Sequence, residues 1–293
     1  MSSKFLDGSY TVKSPNVNYY DDRIESKYDY NSTHVDLKTK TITPKTDAYT
    51  FKTITKVPKV GVMLVGWGGN NGSTLTAGIL ANQHKLEWFT KEGKHVSDYF
   101  GSLTQASTVR LGLDSTGQSV YIPFKNMLPM IEPNSIILGG WDISNMNLAD
   151  SMERAQVLDY QLQQLLKPYM SDLKPLPSMY APEFIALNQS DRATNIIKGN
   201  KQIQLNIIRK NIRDFKINNN LEKVIILWTA NTERFSIVEK GLNTTAAEIL
   251  AAIEVYSMYE CIGVLLFIYT YKYIIVYIST CCIIYLTKYC CMQ

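Results

Sequence analysis

The sequence predicts an α/β protein built on a doubly wound parallel sheet, and three observations carry that prediction. First, the unbroken apolar runs VGVMLV (60–65), SIILGG (135–140) and KVIILW (223–228) have the form of strands buried on both faces. Second, apolar residues recur at helical spacing between them, as in LADSMERAQVLDYQLQQLL (148–166). Strands that alternate with helices place a parallel sheet between helical layers. Third, the composition changes abruptly near residue 255. An extended arm is therefore expected before the sheet and a hydrophobic tail after it.

Taken in order, residues 1–54 are polar and rich in Tyr and Thr, with weak alternation, and are expected to form the extended N-terminal arm. The opening MSSKFLDGSYTVKSP has no apolar core long enough for a signal peptide. Residues 55–254 form the expected α/β domain. Its first strand, 60–65, runs straight into Gly66-Trp67-Gly68-Gly69-Asn70-Asn71-Gly72, and a helix is expected to follow with Ser73 or Thr74 as its N-cap. Strand, glycine turn and helix N-terminus make up the diphosphate cradle of a Rossmann-like domain. The helix end offers unpaired N–H groups and a partial positive charge. Glycines permit a sharp turn and close approach of an anion. Asn70 and Asn71 tolerate left-handed backbone and carry amide donors. The spacing Gly66, Gly68, Gly72 is one residue longer than the usual fingerprint, so a plain glycine turn stays open as the alternative. The acidic residue expected about 20 positions on, for a ribose, is not evident. Glu87 is the nearest, and no strand pattern precedes it.

Two further strand ends repeat the theme. NSIILGGWDISNMNLAD (134–150) leaves glycines, Asp142 and the cap-like Ser144 beyond its apolar run. KVIILWTANTERF (223–235) ends in Thr229, Ala230, Asn231, Thr232 and Glu233. Ligands of open parallel sheets bind beyond the carboxyl ends of the strands, so all three tips would line one edge. A helix cap is the alternative for Asp142, and an ordinary strand-to-helix turn for 229–232.

The formal net charge of +4, with acidic and basic residues interspersed, argues against a nucleic-acid binder. His34, His84 and His95 are scattered without metal-ligand spacing, and no metal site is expected. Residues 1–260 contain no cysteine and so no disulfide framework, which suits a reducing compartment. All five cysteines, Cys261, Cys281, Cys282, Cys290 and Cys291, fall in the segment 255–293. That segment has one Gly and no Pro, Asn, Asp or Arg. Three origins are open for it. It could be a membrane span over 261–287, although Lys272 sits near its middle. It could be a buried core hairpin, for which turn residues are scarce beyond Gly263. The preferred one is translation of sequence never selected to encode protein.

Several blocks resemble one family. YTVKSPNVNY, LVGWGGNNGST, YFGSLTQAST, GGWDIS with MNLAD, ALNQ with RA, and LWTANTERF occur in the order found in myo-inositol-1-phosphate synthases of the eukaryotic type (inositol-3-phosphate synthases), over the chain up to about Ala252. The resemblance implies an isomerase of inositol and phospholipid biosynthesis. Such enzymes convert D-glucose 6-phosphate to 1D-myo-inositol 3-phosphate with tightly bound NAD, which removes a hydride at carbon 5 and returns it within each turnover. It maps the diphosphate loop onto Gly68, Gly69, Asn70 and Asn71, and places Asp142 near the adenosine ribose. It makes Met179, Gln189 and Arg192 cofactor-lining, and runs Thr229, Ala230, Asn231 and Thr232 along the dinucleotide. A guanidinium at Arg192 suits a phosphate or an adenine face; a solvated helix charge is its alternative reading. The family is tetrameric, and carries its GDDFK and NHLGNN segments and its substrate lysines in a further stretch of similar length. Those motifs do not occur here, so the resemblance implies a Rossmann-like doubly wound parallel sheet that is incomplete in this chain. No catalytic residue is therefore expected in this chain, which should be inactive alone, weak in NAD binding and prone to aggregate. A membrane-anchored NAD-binding protein and a regulatory short form are the two alternatives.

Overall fold

A computed structural model describes residues 10–182, 185–230, 238–242, 244–248, 275–279 and 282–285. By contact they divide into two units, one of Met1–Pro58 with Asp98–Glu132 and one of Lys59–Ser97 with Pro133–Gln293. The first unit opens with β1 (Val17–Tyr19), β2 (Arg23–Asp36) and β3 (Thr41–Ile54), an antiparallel sheet in that order. The expected arm is thus mostly a ribbon whose strands of 14 residues each pair from Arg23↔Ile54 to Asp36↔Thr41. Its turn is fixed by the Asp36 carboxylate, which accepts the N–H groups of Lys38 and Thr39 at 2.8 and 3.2 Å. Pro44, which has no N–H to donate, sits in β3 at the ribbon's edge.

The second unit starts with β4 (Val60–Val65) and α1 (Asn70–Gln83), then turns through the hairpin β5 (Glu87–Thr90) and β6 (Gly93–Val96). The chain next makes a detour through the first unit: α2 (Leu103–Ala106) and the hairpin β7 (Thr108–Leu113) and β8 (Ser119–Pro123). It returns as β9 (Ile137–Asp142), α3 (Leu148–Ala155), α4 (Tyr160–Met170), β10 (Leu176–Pro177), α5 (Lys201–Asn218) and β11 (Lys223–Trp228). Two more short strands follow, β12 (Ile275–Ser279) and β13 (Cys282–Tyr285).

The sheet order is β10-β9-β4-β11-β12-β13, parallel through β12 and antiparallel at β13. Numbered by appearance within this sheet, the first five strands run third, second, first, fourth, fifth, the order of a doubly wound dinucleotide domain. The sense of winding reverses between β4 and β11, and that crevice is where such sheets take ligands. Alternation along the strands feeds both faces. Met63, Trp141, Val224, Ile226 and Trp228 pack with Ile208 and Ile212 of α5. Leu64 packs on the opposite side with Ala77 and Ala81 of α1, Leu148 and Met152 of α3, and Leu162 and Leu166 of α4. Both Met63 and Leu64 have no exposed surface, as expected for a central strand covered twice.

Two helix expectations are corrected. The helix after the glycine turn starts at Asn70, not after Ser73 or Thr74. Its N-cap is Gly69, which has no side chain to betray it, and the Ser73 hydroxyl instead donates back to the Gly69 carbonyl at 2.9 Å. The stretch 148–166 is two helices, because Gln156 adopts a left-handed conformation (φ 50°) that closes α3. Asn147 caps α3 by accepting the Asp150 N–H at 2.9 Å. Among the described residues, no helix is long and apolar enough to cross a membrane. Apart from β12 and β13, the stretch 261–287 lies outside the described residues.

Candidate functional site

The centre of the site is the bend from β4 into α1. Gly66 (φ 84°) takes the left-handed turn that a side chain would disfavour. The N–H groups of Gly66 and Trp67 both donate to the Trp141 carbonyl of β9 at 2.9 Å, and the Gly69 N–H closes the turn on the Gly66 carbonyl at 2.9 Å. Trp67 folds inward, 5% exposed, and its indole N–H donates to the Thr76 hydroxyl at 2.9 Å, tying the bend to the second turn of α1. Gly72 is held against the turn so closely that a Cβ there would lie 2.4 Å from the Trp67 carbonyl oxygen. The N–H groups of Asn70, Asn71 and Gly72 are the first three of the helix and have no partner inside it. Across the crevice the Asn71 amide donates to the Thr229 carbonyl at 3.2 Å. The Thr229 hydroxyl donates to the Val65 carbonyl at 2.8 Å. Bend and β11 are thereby tied together where the winding reverses.

Asp142 ends β9, the strand beside β4, and is 4% exposed. Its Oδ1 accepts the Ser144 N–H at 2.9 Å, a turn contact and not a helix cap, since Asn147 caps α3. The backbone of Gly68 in the bend and the positive charges of Arg192 and Arg154 favour its ionised form. Burial outweighs these and pushes its carboxyl above the ordinary carboxylate range. Gly68 leaves just enough room: a Cβ there would lie 3.3 Å from both Asp142 and the Ser151 hydroxyl. The Gly68 carbonyl, in turn, accepts from Arg154 Nη2 at 2.9 Å. Arg154 is itself held below its usual value by burial and by the neighbouring charge of Arg192. Arg192, at the end of a 3-10 helix (Leu187–Arg192), is half-buried and donates to Gln189 Oε1 at 2.7 Å.

A raised carboxyl means that the folded chain holds a proton more tightly than the unfolded one. Stability is therefore lost as pH rises from the ordinary value of 3.8 through the raised one, and is flat above it. Asp142→Asn removes that titration. Melting temperatures taken from pH 4 to pH 7 should fall more steeply with pH for the wild type than for the variant. Parallel curves would contradict the burial argument.

The four short tips converge on one edge of the sheet. Gly68, Gly69, Asn70 and Asn71 follow β4, Asp142 ends β9, Met179 lies two residues beyond β10, and Thr229 and Ala230 follow β11. Met179 and Ala230 are packed against the buried cluster on the α5 face. Asn231 and Thr232 lie outside the described residues. Glu87 is not at this edge: it stands in the β5–β6 hairpin, paired with Lys94 at 2.6 Å. The spacing rule pointed there because it assumes that the second strand follows the first helix directly. Here the detour through residues 84–136 intervenes, and the second strand's terminal acid is Asp142. Arg154 went unremarked in the sequence, since its bond to Gly68 spans 86 residues and has no local signature. Among the described residues no cluster of His, Cys, Asp or Glu could hold a metal ion. The donor set fits an anion beside a diol: helix N–H groups without a partner inside α1, a guanidinium pair, and a carboxylate one strand away.

Comparison with known proteins agrees with this geometry. The model of an NAD-binding domain described as myo-inositol-1-phosphate synthase matches residues 60–260. Inositol-3-phosphate synthase 1 of Populus euphratica is 53% identical over 251 residues, which cover 84% of this chain and 49% of the relative. Inositol-3-phosphate synthase isozyme 2 of Arabidopsis thaliana is 52% identical over 252 residues, with the same coverage. The crystal structure of inositol-3-phosphate synthase from Caenorhabditis elegans matches with a TM-score of 0.75 at 49% identity, over 84% of this chain and 49% of that one. The chain spans about half the length of these relatives.

Proposed function

The chain belongs to the myo-inositol-1-phosphate synthase family, and from that premise we propose that residues 55–254 are the NAD-binding domain of an inositol-3-phosphate synthase. The whole protein, on this reading, converts D-glucose 6-phosphate to 1D-myo-inositol 3-phosphate in the cytoplasm as a homo-tetramer. Bound NAD supplies a hydride acceptor that gives back what it takes. What this chain's residues do is bind and orient. The N–H groups of Asn70, Asn71 and Gly72 face the diphosphate at the amino end of α1, with Gly68 and Gly69 leaving room for its approach. The Asp142 carboxylate, ionised above its raised pKa, accepts the adenosine ribose hydroxyls. Arg192, positioned by Gln189, lends positive charge on the same side. Met179 lines the cofactor, and Thr229 to Thr232 run along the dinucleotide. No residue of this chain is assigned to proton transfer. Enolisation and ring closure need a base and cations at the developing oxyanion.

The observation that carries the reading is the juxtaposition of the glycine bend and Asp142 at the carboxyl ends of adjacent strands β4 and β9, where a Cβ on Gly68 would lie 3.3 Å from the Asp142 carboxylate. Calorimetric titration of the purified chain with NAD⁺, beside an assay of glucose 6-phosphate cyclisation, tests it. Weak, saturable NAD⁺ binding without turnover is expected. Absence of NAD⁺ binding would overturn the cofactor site, and turnover at a normal rate would overturn the assignment of no catalytic residue here.

A further inference from the structure

We propose that Arg154 is a positioning residue for the dinucleotide's diphosphate, holding the bend in its anion-accepting form from the last turn of α3; this rests on the reading of the bend as an NAD site. Gly68 is gripped from two sides. It abuts the Asp142 carboxylate so closely that a Cβ would lie 3.3 Å from it, and its carbonyl takes the Arg154 guanidinium at 2.9 Å. A carbonyl in this loop that swung towards the crevice would put partial negative charge where an anion must sit. The guanidinium holds it back, and so keeps the following N–H groups of Asn70, Asn71 and Gly72 pointing outward. The grip has an electrostatic side as well. Two guanidiniums, Arg154 and Arg192, act on one another and on the single buried carboxylate of Asp142. One carboxylate does not balance two cations, so the cluster is left short of negative charge until an anion arrives. A diphosphate carries two such charges and relieves the repulsion between the arginines. Arg154 therefore discriminates ligands by whether they bring a diphosphate, and not by their adenosine.

The full chain and its Arg154→Met variant are titrated with three probes, NAD⁺ and ADP-ribose, which carry the diphosphate, and adenosine, which does not. Binding is followed by saturation-transfer NMR, and folding by circular dichroism. Loss of a charge-assisted hydrogen bond and its cation should weaken NAD⁺ and ADP-ribose by about ten- to a hundredfold, with adenosine unchanged within about twofold. Equal loss for all three probes, or none, would overturn the positioning role. Failure of the wild type to bind NAD⁺ would overturn the cofactor reading itself, a result separable from the variant's. If Arg154→Met does not fold, Arg154→Gln decides. It can still donate to the carbonyl but has no charge, so it should show the same selective loss, and wild-type binding of all three probes would sink the proposal.

Discussion

Gly72→Ala is expected to abolish measurable NAD⁺ binding by this chain while the neighbouring Gly78→Ala, six residues along the same helix, leaves it intact. The two sites differ in what an added methyl group meets. At Gly72 the new Cβ would lie 2.4 Å from the Trp67 carbonyl oxygen and 2.7 Å from that of Gly66. Both are backbone atoms, and both belong to the turn that the Gly69 N–H and the Trp141 carbonyl hold in place. Neither can step aside as a side-chain end would, so the turn or the first turn of α1 has to open. Forcing atoms into such a site costs about 1–3 kcal/mol. The movement falls on the N–H groups assigned to the diphosphate, so affinity should drop with stability, by about a hundredfold if the cost reaches 2.7 kcal/mol. Gly78 has nothing within 4 Å of its added Cβ. Alanine there should stabilise the chain by about 0.5–1 kcal/mol through helix propensity. Urea unfolding and NAD⁺ titration of both variants check the pair, and a Gly72→Ala chain that binds like the wild type would refute the close packing.

Trp141→Ala should be the most damaging substitution in the sheet. Trp141 has no exposed surface and, among the described residues, is the largest side chain in that condition. It packs among Met63, Ile208, Ile212 and Trp228, with its indole N–H directed to the Asn211 side-chain oxygen at 3.2 Å. Truncation of a buried aromatic of this size costs about 3–5 kcal/mol. That is comparable to the entire stability of a modest domain. The Trp141 carbonyl also receives both N–H groups that start the bend, so slack in β9 passes directly to the site. Trp141→Phe keeps most of the volume and loses the indole donor, and should cost less than half as much. Denaturant midpoints for the two variants measure the difference.

These sites were unequally visible in the amino-acid order. Strands 60–65 and 223–228 coincide with β4 and β11, since a strand covered on both faces needs an unbroken apolar run and such runs are easily seen. The third apolar run spans 135–140, but Ser135 belongs to a short 3-10 turn and the strand continues to Asp142. The start of α1 was hidden because a glycine N-cap leaves no side-chain signature. The break after α3 depends on the backbone of Gln156, a residue type that does not announce a left-handed turn. At the site, Asp142 and Thr229 stood out because polar residues after apolar runs mark strand ends. Arg154 did not, because helical position alone says nothing of a bond to a distant loop.

The place of β4 in the sheet has a consequence for how the chain is made. Val60 pairs with Lys223, 163 residues later, and Gly61 with Ile137. At about 5–20 residues per second, the first strand emerges from the ribosome some 8–30 seconds before its second neighbour exists. Throughout that interval a run of Val, Met and Leu waits with one edge open. Holdase chaperones that shield such segments should therefore bind the nascent chain between these two points and leave once residue 228 has cleared the exit tunnel.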